Sequence, residues 1–402
     1  MSLAGINISN VNALTNAGWI DASAGDLSIQ VNGALISTGG YIGSHQGAVS
    51  LNAGATLNLT STNVGSETGT LTLNGPIVAL QSVSQIYGKE IVVDGDTLLI
   101  GKDAHLGLHD TLSQNGSANI YPGKVTINSS KLTINATESE EKGSGVDGTD
   151  IVFNGRSITM NGDRAHISGS GVVTLGSNED DKLISIKAET GGDITGNNVK
   201  LNAHEAIFNQ KATVSGTTGV EIHAPTLVVD NGSSVSSLSG SVTISLPSNA
   251  GEDAELSIQL DQDLDGSVGK IQGVSVSIGS ESNSTTVSGG IVTANGSGAS
   301  DKVTIRGNSV NVDGSAVSSD KGGIQLDAGS GGVKLTDTNL KSTNTGGIVV
   351  EADGAGNITL DKTTVDAGVN GSVTIAADGE GQITIGKEEP WGGARNPDLL
   401  SR

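Results

Sequence analysis

The 402 residues include 60 Gly and only six Pro, no Cys, and just two Trp, three Tyr and two Phe. Glycine at this density without proline excludes collagen and a proline-rich disordered chain, and the lack of Cys excludes a thiol nucleophile or a cysteine-ligated zinc site. A formal charge of −22 argues against nucleic acid and anionic membrane surfaces as partners, because both need clustered Lys and Arg.

Residues 1–4 are expected to be a leader added for expression. The N-terminus lacks the basic-then-apolar layout of a signal peptide, and no apolar run approaches the ~18 residues of a membrane span. Apolar-polar-apolar triplets begin by Leu27-Ser28-Ile29-Gln30-Val31 and continue through Val49-Ser50-Leu51, Leu71-Thr72-Leu73, Ile91-Val92-Val93, Val125-Thr126-Ile127 and Ile158-Thr159-Met160. Val199-Lys200-Leu201, Val220-Glu221-Ile222, Val242-Thr243-Ile244 and Val303-Thr304-Ile305 extend the pattern. Successive side chains on a strand point to opposite faces, so the outer apolar pair of each triplet faces inward and the middle residue outward.

Toward the C-terminus the triplets become strictly periodic. Val333-Lys334-Leu335, Ile358-Thr359-Leu360 and Ile383-Thr384-Ile385 are 25 positions apart. Ile324, Ile348 and Val373 form a second series, and Val317, Leu340 and Val365 a third. Three strands per period predict an all-β chain wound as a parallel β-helix, a solenoid with three short strands per coil of about 25 residues. Right-handedness is expected from the chirality of crossovers between parallel strands. A narrow coil interior is best filled by Val, Ile, Leu and Ala, which agrees with the scarcity of aromatics. Asn-Gly pairs at 32–33, 74–75, 154–155, 161–162 and 231–232 supply residues that tolerate the left-handed backbone of tight corners.

One β-helix is expected over 5–387, with loop excursions near 103–121, 136–149 and 248–267 and a non-repeat tail at 388–402. Loops on a solenoid are where binding concentrates. The third excursion contains Asp261-Gln262-Asp263-Leu264-Asp265-Gly266, the first half of a calcium loop. Asp261, Asp263 and Asp265 are therefore candidate Ca²⁺ ligands. The twelfth position of such a loop is Gln272, which cannot supply the bidentate carboxylate, so any such site is weak; no other cofactor is expected.

Of the six His, only His105 and His109 are close in sequence, and on a strand residues four apart share a face. A surface metal pair is one reading and two solvated side chains the other. Catalysis of glycoside cleavage wants paired carboxylates about 5–9 Å apart. The acids are spread along the chain, Trp19 and Trp391 lie at opposite ends, and no enzymatic role is expected. The outward position alternates among Thr, Ser, Lys, Glu, Asn and Gln, which does not make the regular Thr ladder of an ice-binding face. Asn-x-Ser/Thr sequons recur at Asn58, Asn128, Asn135, Asn283 and Asn357.

Gly-flanked Val-Thr-Ile and Leu-Thr-Leu triplets, frequent Asn-Gly turns, acidity and absent Cys together resemble the shaft of filamentous haemagglutinin-like exoproteins. These include the high-molecular-weight adhesins of two-partner secretion. The resemblance covers about residues 5–386, and the Asn-Pro motifs of that family's secretion module are missing near this N-terminus. It implies an internal or C-terminal piece of an extracellular or bacterial cell-surface adhesin, a stiff shaft used for attachment or aggregation. The partners it implies are a host-cell or matrix receptor, a glycan, or another copy of the chain, with no nucleic acid and no membrane insertion. The alternative is a carbohydrate-active β-helix, a polysaccharide lyase or depolymerase. That reading needs acids with Arg or Lys on one sheet face beside an aromatic.

Overall fold

A computed structural model describes residues 5–82, 84–107, 123–137, 143–177, 183–251, 253–261 and 267–386. Every described element is a strand, and the paired strands are parallel. They wind into a β-solenoid of about 16 turns with about 22 residues per turn. The chain comprises two compact units, Met1–Ala203 and His204–Arg402, each of the same architecture.

The periodic columns pair as the spacing predicts. Val333 pairs with Ile358 and Ile358 with Ile383, while Leu335, Leu360 and Ile385 stack beside them. The series Ile324, Ile348, Val373 and the series Val317, Leu340, Val365 also align. Val333, Leu335, Ile358 and Leu360 are buried, whereas Ile383 and Ile385 in the last described strand are exposed, because no described strand covers them.

The step between coils is not uniform. In the first unit Leu27 pairs with Val49, Val49 with Leu71 and Leu71 with Ile91, shorter steps than the predicted 25. The C-terminal coils keep the longer step because two of their three corners take one more residue: compare 31–35 and 44–49 with 328–333 and 342–348.

Corners use glycine in two ways. Gly162 and Gly232 have positive φ, 100° and 75°, the expected left-handed corner. Gly33 and Gly155 do not, and there a Cβ would strike the carbonyl of the coil below, Asn12 and Ser129 respectively. Serine also closes corners: Ser44 Oγ donates to the Gly25 carbonyl and accepts from Gly47 N, both at 2.8 Å. Ser66 repeats the arrangement one coil on with Gly47 and Gly69. Asn128 and Asn154 form an amide ladder, Asn154 Nδ2 donating to Asn128 Oδ1 and Asn128 Nδ2 to Asp94.

Parts of the predicted excursions are regular. Ser144–Gly148 and Glu255–Leu260 are strands in the ladder. The sequon residue Asn283 is buried, its Nδ2 donating to the carbonyls of Gly251 and Ala254. It pins that excursion rather than presenting an amide to solvent.

Candidate functional site

Chemistry-bearing side chains gather on one sheet face of the first unit. The strands Trp19–Ala22, Tyr41–Ser44, Asn63–Asn74, Gln85–Ile100, His105–Leu106, Ser144–Gly148, Ala165–Gly169 and Asp193–Phe208 stack in that order. One inward column runs Ile20, Ile42, Val64, Ile86, Leu106, Val146, Ile167, Ile194. Alternation therefore sends its two neighbours on each strand outward. The first outward column is Trp19, Tyr41, Asn63, Gln85, His105, Gly145, His166, Asp193; the second includes Asp21, Gly43, Gly65, Tyr87, Asp147, Ser168 and Thr195.

Within these columns rings lie across glycines. A Cβ at Gly43 would collide with the Tyr41 ring, one at Gly65 with the Tyr87 ring, and one at Gly145 with the His166 imidazole. The missing side chain makes room for a ring from the same strand at Gly43 and for a ring one coil on in the same column at Gly65 and Gly145. The Tyr41 and Tyr87 hydroxyls meet at 3.4 Å, and Trp19, 80% exposed, packs against Tyr41 with ring centroids 5.6 Å apart. Burial, then the paired hydroxyl and nearby acids, pushes the Tyr41 phenol well above its ordinary range; burial likewise raises Tyr87. Beside them His45 bridges two acids, its Nδ1 2.6 Å from Glu67 Oε1 and its Nε2 3.8 Å from Asp21 Oδ2.

Further along the same face His105, Asp147 and His166 converge. Asp147 Oδ2 lies 3.5 Å from His105 Nδ1 and 3.1 Å from His166 Nε2, and the two imidazoles are tilted at 39° with centroids 5.6 Å apart. The His166 Nδ1 is 3.2 Å from the Arg164 carbonyl. Burial alone would lower the His166 pKa, but the Asp147 hydrogen bond and charge, the Arg164 carbonyl and Asp193 outweigh it and raise it. An open cleft of about 310 Å³ adjoins, lined by Asp147, Asp163, Arg164, His166, Ser168, Asp193 and Thr195. Among the described residues these three are the group of His and acidic side chains whose ligand atoms all lie within 4.8 Å of one another.

The sequence pointed to different partners. His105 is buried in a strand, and its neighbours come from one and two coils away; His109 lies outside the described residues. Of the calcium candidates, Asp261 is exposed at the end of Glu255–Leu260, with its backbone carbonyl accepting from Gly269 N. Asp263 and Asp265 lie outside the described residues. Gln272 points outward from a strand, paired with Ser236 and Thr293. His223 meets Ser245 Oγ at 2.8 Å. The aromatic clustering was missed because Trp19, Tyr41 and Tyr87 look scattered in sequence; their steps of 22 and 46, one and about two coil lengths, were the available signal. The chain matches no protein-family model, no curated protein and no solved structure.

Proposed function

We propose that this protein is an attachment module of a secreted or cell-surface adhesin, and that the sheet face bearing Trp19, Tyr41 and Tyr87 holds a saccharide. The observation that carries this is the convergence of three of the chain's few aromatics with Asp21, His45 and Glu67 on one outward face. An exposed indole offers a flat apolar surface to a sugar ring, while phenols, imidazole and carboxylates satisfy its hydroxyls. Parallel strands hold these groups at a fixed spacing near 4.8 Å per coil, so little ordering cost remains at binding. The flanking carboxylates favour a neutral or amino sugar over a uronate. The filamentous haemagglutinin-like resemblance agrees with this reading, since the rest of the coil then serves as scaffold.

The test is a glycan array and titration with the purified chain and its Trp19→Ala variant. Selective saturable binding, weakened about tenfold or more in the variant at unchanged melting temperature, is expected from the ~2 kcal/mol that truncating a Trp anchor typically costs. No selective binding by the parent chain overturns the proposal.

A second reading, a carbohydrate-active β-helix, is favoured by one observation: Asp147, Asp163 and Asp193 share a cleft with Arg164 and His166. Release of reducing ends or unsaturated products from a polysaccharide panel, abolished by Asp193→Asn, would establish it.

A further inference from the structure

We propose that His105, Asp147 and His166 form a binding site for a late first-row divalent metal ion, with zinc the best chemical fit. Two imidazole nitrogens and one carboxylate oxygen are the donor set of zinc, cobalt(II) or nickel(II), whereas calcium and magnesium require oxygen cages. Two of the three edges already have suitable lengths, and all three ligand atoms lie within 4.8 Å of one another. Ligands about 2.0–2.1 Å from a tetrahedral ion lie about 3.3–3.4 Å from one another, and Asp147 Oδ2 is 3.1 Å from His166 Nε2 and 3.5 Å from His105 Nδ1.

The site is also built. The Arg164 carbonyl sits 3.2 Å from His166 Nδ1, where it accepts that proton and turns the Nε2 lone pair toward Asp147. A backbone carbonyl on the far nitrogen is how proteins commonly fix a ligating imidazole. Gly145 lacks a side chain where the His166 ring lies, and His105 is only 4% exposed. With His166 Nδ1 donating to the Arg164 carbonyl, its Nε2 lies 3.1 Å from Asp147 Oδ2, and a cation held by both satisfies the imidazole lone pair and the carboxylate together. The adjoining cleft leaves a fourth position open to water or a ligand oxygen.

The position of the cluster suggests what the ion does for the fold. Its ligands come from three successive strands, His105–Leu106, Ser144–Gly148 and Ala165–Gly169. Between His105 and its register partner Gly145 the chain takes twice the step it takes between Gln85 and His105. The ion would staple the coils across that insertion, adding stability in proportion to its affinity.

The experiment is titration of the chelator-stripped full chain with Co²⁺ alone, followed by d–d absorption and by thermal melting. We expect one equivalent to bind with the intense absorption of a four-coordinate ion, to be displaced by Zn²⁺, and to raise the melting temperature. Asp147→Asn and His166→Gln should each weaken binding about tenfold or more, while His223→Gln leaves it unchanged. Because both replacements keep side-chain volume and neither residue is fully buried, circular dichroism of the apo variants should match the parent. His105→Gln, at a buried position, is read only alongside them. Absence of saturable Co²⁺ binding in the parent chain overturns the proposal. So does parent-like affinity in both Asp147→Asn and His166→Gln, or loss of binding in His223→Gln.

Discussion

The two units contain the same kind of strand with one inward aliphatic residue and two outward positions, and they fill the outward positions differently. In the first unit the inward residues Ile20, Ile42, Val64 and Ile86 are flanked by Trp19, Asp21, Tyr41 and Tyr87, with Gly43 and Gly65 under the rings. In the second unit Val235, Ile271, Val292 and Val317 are flanked by Ser234, Ser236, Lys270, Gln272, Ile291, Thr293, Ala316 and Ser318. The inward columns are interchangeable in kind, because burial selects only for aliphatic volume. The outward columns are filled less uniformly, small polar residues in the second unit and rings packed over glycines in the first, so they admit a wider range of chemistry.

The inner equivalence is broken most severely by charge. Val64→Asp in the first unit and Leu360→Asp in the second each place an unpaired carboxylate in a buried column. Each should cost several kcal/mol and abolish cooperative melting. An unchanged melting temperature at either position would contradict the register described here.

The outer difference is sharpened by Gly65→Ala, whose methyl must displace the Tyr87 ring. A loss of about 1–3 kcal/mol with a changed near-ultraviolet tyrosine signal is expected. The matching change in the second unit, Ser318→Ala, removes only a hydroxyl 2.9 Å from that of Thr293 and should cost about 1 kcal/mol at most.

A smaller effect is expected in alkali. The folded-state pKa values of Tyr41 and Tyr87 are raised above the ordinary 10.0, so the folded chain keeps protons that the unfolded chain would release. This contribution is full below pH ~10 and is lost as pH rises through the folded values. Phenolate absorbance of two of the chain's three tyrosines that grows only together with unfolding would bear this out; all three ionising near 10 in the folded chain would not. The smallest effect belongs to an exposed outward lysine of the second unit: Lys341→Ala should change stability by less than about 0.5 kcal/mol.

Architecture was legible because a strand's alternation and a coil's period are both written locally. Val333, Ile358 and Ile383 announce their stacking by spacing alone, and the periodic columns pair as spaced. The shorter coil of the first unit was less legible, since one residue fewer at a corner leaves every triplet intact. The roles of Ser44, Ser66 and Asn283 were not legible, because each depends on a carbonyl some 19 or more positions away.

The sequence by itself determined that this chain is a parallel β-solenoid with an aliphatic interior, because inward positions must repeat wherever neighbouring coils bury one another. Only the tertiary structure decided which outward residues meet. His105 lies four residues before His109 in sequence, and the side chains that meet it from other coils are Asp147 and His166. Tyr41 meets Tyr87 over Gly43 and Gly65, two strand glycines that no motif singles out. The physical reason is that stacking sets outward neighbours by register, and register depends on how many residues each corner and insertion consumes, a sum no single motif records.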